Sequence, residues 1–307
     1  MKWEVAVSEP DAVGESPFWH PTEQRLYWVD IDGKRVLRWD AAAGRKEAWA
    51  MPQEPGCIAP AASGGFVLAL RDGIYRARSW GGLLEPAVLF QHAAVARFND
   101  GKADPLGRFW AGTYYEPKDA RKADLYCIDC RPDNGNGGKP LVQLKAMNAM
   151  TANGIAWSPD ARTIYWTDTQ EHAISCWDWE APGNAMRHHR VFHQFARKPA
   201  GWKPGEPGYG GRPDGAAVDV EGCYWVAMFE GGRLLRLSPR GEIVAEFAVP
   251  ARCPTMPCFG GEDGRTLYLT TARHKRPADE LQAFPLSGCV LKTRVDVPGL
   301  PANVFVD

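Results

Sequence analysis

One pattern recurs six times along the chain, and that recurrence constrains the fold more than any other feature. Aromatic-rich segments appear as RLYWVDI from Arg25, GGFVLAL from Gly64, GRFWAGTYY from Gly107, RTIYWTDT from Arg162, GCYWVAM from Gly222 and RTLYLTT from Arg265. Each follows a turn signal, in order HPTEQ, ASGG, DPLG, SPDA, DVEG and GEDG. Inside each run apolar residues alternate with others, or the run is apolar throughout, as buried strands are. With Tyr27, Phe66, Phe109, Tyr165, Tyr224 and Tyr268 as markers, the spacings are 39, 43, 56, 59 and 44 residues. The two long intervals hold insertions, PDNGNGGKP near Asp133 and KPAGWKPGEPGYGG near Lys198.

After most of these strands a second one follows a short polar turn, as in KRVLRWD, GIYRAR, DLYCID, HAISCWDWE and GRLLRLSP. Strand, turn, strand and linking strand at such a period is the signature of a propeller. The expectation is an all-β, six-bladed β-propeller, with residues 1–307 forming a single domain. A two-layer sandwich would not repeat one pattern six times. The dipeptides Trp39-Asp40 and Trp177-Asp178 do not follow the blade spacing, so they read as strand ends rather than WD40 signatures. No helix is demanded; RHKRPADEL is expected to form a turn of helix at most.

Composition fits this picture, because 32 glycines and 25 prolines suit the many turns, and 34 aromatics, 13 of them Trp, suit many short strands. With 36 Lys or Arg against 37 Asp or Glu, the net charge is −1. Nucleic acid and anionic membrane are therefore not expected as partners. The start, MKWEVAVSEP, lacks the apolar run of a secretory signal. No stretch approaches the roughly 18 apolar residues of a membrane span. A cytoplasmic protein is expected, monomeric or weakly dimeric, with its eight cysteines mostly free thiols. Cys127 and Cys130 have metal-knuckle spacing, but their strand-like run LYCIDC turns them to opposite faces.

In a propeller the first strand of each blade lines the central channel. Residues about ten places before each marker are Glu15, Cys57 with Ile58, Arg97 with Asn99, Asn153, Asp214 and Phe259. Glu15, Asn99, Asn153 and Asp214 lie 12, 10, 12 and 10 residues before their markers, which predicts one common depth. Two carboxylates and two amides converging in a channel form a hard oxygen site suited to Ca²⁺, Mg²⁺ or Mn²⁺. Singly, each such residue is an ordinary turn cap; four together are not.

The motifs GESPFWHPTEQRLYWVDI, RFNDGKADPLGRFWAGT, ANGIAWSPD, RPDGAAVDVEGCYWVA and PCFGG resemble, in order, those of the regucalcin (senescence marker protein)/gluconolactonase family. The likeness runs from about Val13 to Leu281. It implies a six-bladed β-propeller with one divalent metal in the axial channel, and hydrolysis of sugar lactones. By position it puts metal ligands at Glu15, Asn153 and Asp214, and substrate contacts at Arg97 and Asn99. One departure stands out. Where some animal members carry a substrate-binding Glu after the AGT triplet, this chain has Pro117. Either Glu116, one residue away, takes that role, or Tyr114 and Tyr115 line that side.

Lactone hydrolysis needs an activated water and help for the developing oxyanion, and a divalent metal supplies both. Asp214 is the expected general base as well as a ligand. Arg97 is expected to bind the ring or carbonyl oxygen and Asn99 a hydroxyl. The cation's identity stays open among Ca, Mn, Mg, Zn and Fe. Rival machinery is scarce, with neither a Gly-X-Ser-X-Gly elbow nor a His-Glu-X-X-His. His189 and His193 lie about 13 Å apart along a strand, too far to share a metal with His188. Asp133, Asn134 and Asn136 read as a hairpin turn rather than a calcium loop.

The insertion from Lys198 to Arg212 leads straight into Asp214 and carries Trp202, Tyr209, Lys198, Lys203 and Arg212. It is expected either to shape the substrate rim for an acidic or extended sugar, or simply to trim the blade edges. The functional expectation is a metal-dependent aldonolactonase. Its rivals are an esterase or organophosphate hydrolase on the same scaffold, a non-catalytic calcium-binding regulator, and a propeller that serves as an interaction scaffold.

Overall fold

In the computed structural model, which describes residues 1–92, 94–204 and 206–307, all six aromatic markers lie in the second strand of a four-stranded antiparallel sheet. Blade 1 is built from Gly14–Trp19, Leu26–Asp30, Arg35–Asp40 and Arg45–Ala50. Blades 2 to 5 repeat this order, with first strands Cys57–Pro60, Ala96–Ala103, Ala152–Trp157 and Arg212–Val218. The first strands of successive blades touch all round a ring, so the architecture is a six-bladed β-propeller.

Ring closure was not visible in the repeat. Blade 6 takes Pro254–Gly260, Thr266–Thr271 and Val290–Arg294 from the end of the chain, but its outermost strand is the amino-terminal Glu4–Val7. Glu4 pairs with Lys292 and Val5 with Leu291. The closing strand therefore ties the first residues to the last blade by main-chain hydrogen bonds.

Position in the blade dictates the residue pattern. Inner strands are packed on both faces and read as continuous buried runs, such as ANGIAW and PTMPCFG. Outer strands face solvent on one side and alternate, as Leu141–Ala149 does. Apolar clusters fill each wedge between neighbouring blades. Trp110, Trp157 and Trp179 pack edge-on and tilted between blades 3 and 4, while Trp28, Trp39 and Tyr268 join blade 1 to blade 6.

Five of the six inner strands carry a one-residue register slip at the same place. It falls between Glu15 and Phe18, Phe98 and Gly101, Asn153 and Ala156, Pro213 and Ala216, and Pro254 and Pro257. A β-bulge of this kind re-aims side chains and sharpens the local twist. Blade 2, whose equivalent residues are Cys57 and Ile58, pairs without a slip. The bulge is thus the device that turns polar residues toward the axis.

The other end of the axis is closed differently. The carboxy-terminal segment crosses it, with Leu300 N–H bonding Val218, Phe305 N–H bonding Pro60 and Asn303 Nδ2 bonding Ala103, all on carbonyl oxygens. Beneath it lies a cavity of about 220 Å³ walled by Phe18, Trp19, Trp157, Phe259 and Pro301. The helical stretch near the end is longer than expected, a six-residue α-helix over Ala278–Ala283 with Arg276 paired to Glu280.

Candidate active site

Each bulge positions two successive residues, and the four polar candidates divide between these places. Glu15 and Asn153 are the last paired residues before the slip, opposite Val29 and Thr167. Asn99 and Asp214 come one residue later, in the unpaired part of the bulge. The expectation of one common depth is corrected accordingly. Its cause is that Phe109 and Tyr224 pair with Ala103 and Val218, farther along their inner strands than Phe18 and Ala156, the partners of Tyr27 and Tyr165.

After Glu15 and Asn153 the backbone turns left-handed. Ser16 adopts φ +49° and Gly154 φ +59°. At Gly154 a β-carbon would stand 2.4 Å from Tyr224 Oη and 2.5 Å from Thr167 Oγ1, so only glycine fits. Ser16 offsets its unfavourable φ with two bonds. Its N–H donates to Glu15 Oε2 at 2.9 Å, and its Oγ accepts from Ile58 N–H at 3.1 Å.

A chain of hydrogen bonds links three blades. Arg97 Nη1 donates to Asn99 Oδ1 at 2.7 Å, and Asn99 Nδ2 donates to Asn153 Oδ1 at 2.8 Å. Asn153 Nδ2 then donates to Thr169 Oγ1 at 2.8 Å, and Thr169 Oγ1 donates to the Pro213 carbonyl at 2.8 Å. These bonds fix the Asn153 amide with its oxygen toward Asn99. Asn99 spends both donor hydrogens internally, the second on the Ala152 carbonyl, and keeps acceptor capacity only. The Arg97 guanidinium lies over the Tyr114 ring, 4.8 Å from its centre. Tyr115 points the other way, into the core between blades 3 and 4.

Glu116 does not join this cluster. Both of its oxygens are held by Arg71, at 2.8 and 3.0 Å, on the rim between blades 2 and 3. Histidines 188, 189 and 193 are likewise dispersed, on Asp178, Ser175 Oγ and the Gly241 carbonyl. The eight cysteines are free thiols. Asn134 and Asn136 spend their amides on carbonyls of their own loop, as a turn does.

Electrostatics on the channel axis are dominated by the buried carboxylates Glu15, Asp100 and Asp214. Burial pushes Asp214 up to about 8, with Arg212 and Arg97 opposing and Asp100 adding to the rise. Burial also raises Glu15 well above the carboxylate range, reinforced by the charges of Asp214 and Asp100. Asp100, which sequence reasoning passed over, is fully buried and raised by desolvation. Its Oδ2 accepts from Ile155 N–H at 3.1 Å, whereas Oδ1 is buried with no partner among the described residues. Lys102 lies beside it, its ammonium bonded to the Ala216 carbonyl and its pKa lowered by burial. Both residues belong to the quoted RFNDGK run, where charged residues inside a buried inner strand are the signal that marks them.

No group of three or more His, Cys, Asp or Glu side chains gathers as a metal site among the described residues. The donors instead mix two carboxylates with amide oxygens. Repelling carboxylates beside an orphaned carboxylate oxygen match what a hard divalent cation requires.

Comparisons with known proteins identify the family and match the fold. The family model described as "SMP-30/Gluconolactonase/LRE-like region" matches residues 13–273. The chain belongs to this family. It is 43% identical over 300 residues to the 6-deoxy-6-sulfogluconolactonase of Pseudomonas putida, covering 97% of both chains. It is 32% identical over 309 residues to regucalcin of Danio rerio, covering 98% of this chain and 97% of that one. Among solved structures, the calcium-binding protein regucalcin of Agrobacterium tumefaciens superposes with a TM-score of 0.87 at 25% identity. That match covers 98% of this chain and 96% of the other.

Proposed function

We propose that the protein hydrolyses a sugar aldonolactone to its aldonic acid, with a divalent cation held by Glu15, Asn153 and Asp214. One observation carries this reading: Glu15, Asn153 and Asp214 meet the Arg97–Asn99 pair at one end of the axial channel. When bound, the cation would polarise the lactone carbonyl and acidify a water. Asp214, the carboxylate beside that water, accepts the proton as the water oxygen attacks the carbonyl carbon. The ring C–O bond then breaks, and that proton passes to the departing ring oxygen. Arg97 keeps Nε and Nη2 without partners among the described residues, so three N–H groups on two nitrogens remain for the oxygen that gains charge. Asn99 accepts from a substrate hydroxyl and holds Arg97 in place. Glu116 stays with Arg71 on the rim, which leaves Tyr114 as the wall beside the sugar.

The test is a panel of gluconolactone, galactonolactone, xylonolactone, arabinonolactone and 6-deoxy-6-sulfogluconolactone on chelator-stripped protein. Ca²⁺, Mg²⁺, Mn²⁺, Zn²⁺ and Fe²⁺ are added back singly. Acid release should vanish on stripping and return with at least one cation. Undiminished hydrolysis by metal-free protein would refute the cation's role. Calcium binding without hydrolysis of any lactone or aryl ester would favour the regulatory alternative. A second measurement probes the anchor of Asn153. Thr169→Val removes the hydroxyl that orients its amide, and should weaken cation binding by about tenfold in calorimetry. An unchanged affinity would show that Asn153 is not a ligand.

A further inference from the structure

Cations outnumber carboxylates on the wall beside Asp214. Glu230 is shared by Lys198 Nζ at 2.7 Å, Arg276 Nη1 at 3.0 Å and Arg212 Nη2 at 3.6 Å. Arg276 has a second carboxylate, Glu280, at 2.7 Å. Three cations thus share two acids, and Arg212 holds the weakest claim. Its Nε is buried with no hydrogen-bond partner among the described residues, and its guanidinium lies over the Phe229 ring at 5.1 Å. Arg212 stands two residues before Asp214 on the same inner strand, so this surplus sits at the channel mouth.

The insertion supplies the rest of the wall. Lys198 lies 4.9 Å from the centre of the Trp202 ring and 5.6 Å from that of Tyr209. The two rings meet edge-on at 5.0 Å, and Tyr209 Oη bonds His172 Nε2 at 2.8 Å. Aromatic packing and the Glu230 contact hold the Lys198 ammonium against the blade instead of letting it drift in solvent. Across the channel, Arg97 makes no ion pair among the described residues. Its charge, like that of Arg212, acts on Asp214. If Glu15 and Asp214 serve a cation, neither is a counter-ion for these guanidiniums.

We infer that Arg212 and Lys198, backed by Tyr209, form a subsite for a terminal tetrahedral oxyanion on the sugar lactone, a sulfonate or phosphate at the carbon farthest from the carbonyl. A neutral sugar has nothing to offer a buried guanidinium N–H beyond single hydroxyls. An oxyanion takes charge-assisted bonds from both cations and completes the unfilled share of Arg212. The inference rests on the lactonase reading and narrows it to anionic aldonolactones.

The experiment compares gluconolactone, 6-phosphogluconolactone and the 6-sulfonate lactone on cation-loaded wild type, Lys198→Met and Lys203→Met. Lys203 lies in the same insertion and makes no ion pair among the described residues, so its variant controls for charge loss alone. For wild type, kcat/KM should favour an anionic lactone over gluconolactone by about tenfold or more. Lys198→Met should lower that ratio by about tenfold, through KM, while Lys203→Met changes it by less than about twofold. The more efficient anionic arm identifies sulfonate or phosphate. Equal efficiency towards neutral and anionic lactones in wild type would overturn the subsite. So would equal effects of the two lysine variants, which would mark long-range electrostatics or product-carboxylate binding. Calorimetry with 6-phosphogluconate against gluconate separates the two layers of the argument. Preferential binding of 6-phosphogluconate, lost in Lys198→Met, would sustain the subsite even if no lactone is cleaved, in which case only the lactonase reading falls. No preference would overturn the subsite whatever the turnover.

Discussion

Asp214→Asn should abolish hydrolysis and cation binding while making the metal-free protein more stable at pH 8. Both effects follow from one buried carboxylate. In the folded metal-free chain Asp214 is raised from 3.8 to about 8, chiefly because burial penalises its charge. Between those pH values the folded state holds a proton that the unfolded state has released. Stability of the metal-free wild type therefore falls as pH rises from about 4 to about 8, and levels off above that. Asn cannot ionise, so the variant escapes this part of the loss. Its advantage should be on the order of a few kcal/mol at pH 8 and vanish as pH approaches the ordinary carboxylate range. Urea unfolding of chelated wild type and variant across pH 4 to 8 reads it directly. Turnover should fall by about 10³ or more, since ligand and base are lost together. A variant less stable than wild type at pH 8 would mean that the carboxylate is compensated within the protein. A variant with intact turnover would remove Asp214 from the chemistry.

Asp214 could be singled out from the chain, but its setting could not. The six aromatic runs were legible because a strand buried on both faces must be apolar throughout, and Tyr27 to Tyr268 mark such strands. Glu15, Asn99, Asn153 and Asp214 stood out because polar residues in those buried inner strands demand an explanation. Register was not legible, because a bulge adds one residue without any change in composition, and the markers drift relative to it between blades. Contacts between distant blades were also hidden. Thr169 reaches Pro213 across 44 residues, and Glu4 pairs with Lys292 across nearly the whole chain. The near-zero net charge concealed the local imbalance too. Acidic groups gather on the axis around Glu15, Asp100 and Asp214, while surplus cations line the mouth at Arg97 and Arg212.

Two of the turn signals hid a structural clamp whose loss should have the largest effect on stability. In DPLGRFW, Asp104 Oδ1 accepts the N–H groups of Leu106 and Arg108 at 2.8 and 3.1 Å. Its Oδ2 accepts Arg108 Nε at 2.6 Å and the Trp110 indole at 2.8 Å. In DVEGCYW, Asp219 repeats the pattern with Glu221, Cys223 and Trp225, and takes Arg236 Nε at 2.8 Å. The two clamps differ in one decisive respect. Arg108 is 1% exposed and its only ion-pair partner among the described residues is Asp104, while the Arg236 side chain is 18% exposed and also holds Glu221 at 2.6 Å. Asp104→Ala leaves a guanidinium buried between blades 3 and 4 with the Ala181 carbonyl and the Trp179 ring as its remaining partners. Removing one member of such a pair costs about 3–5 kcal/mol, well above the loss expected for Asp219→Ala, where water and Glu221 compensate. Urea unfolding of the two variants should rank them in that order. Arg108→Met in the Asp104→Ala background should recover much of the deficit, because it removes the stranded charge while keeping apolar volume. Equal losses in the two single variants, or no recovery in the double variant, would place the clamp's contribution in its turn hydrogen bonds rather than in the buried ion pair.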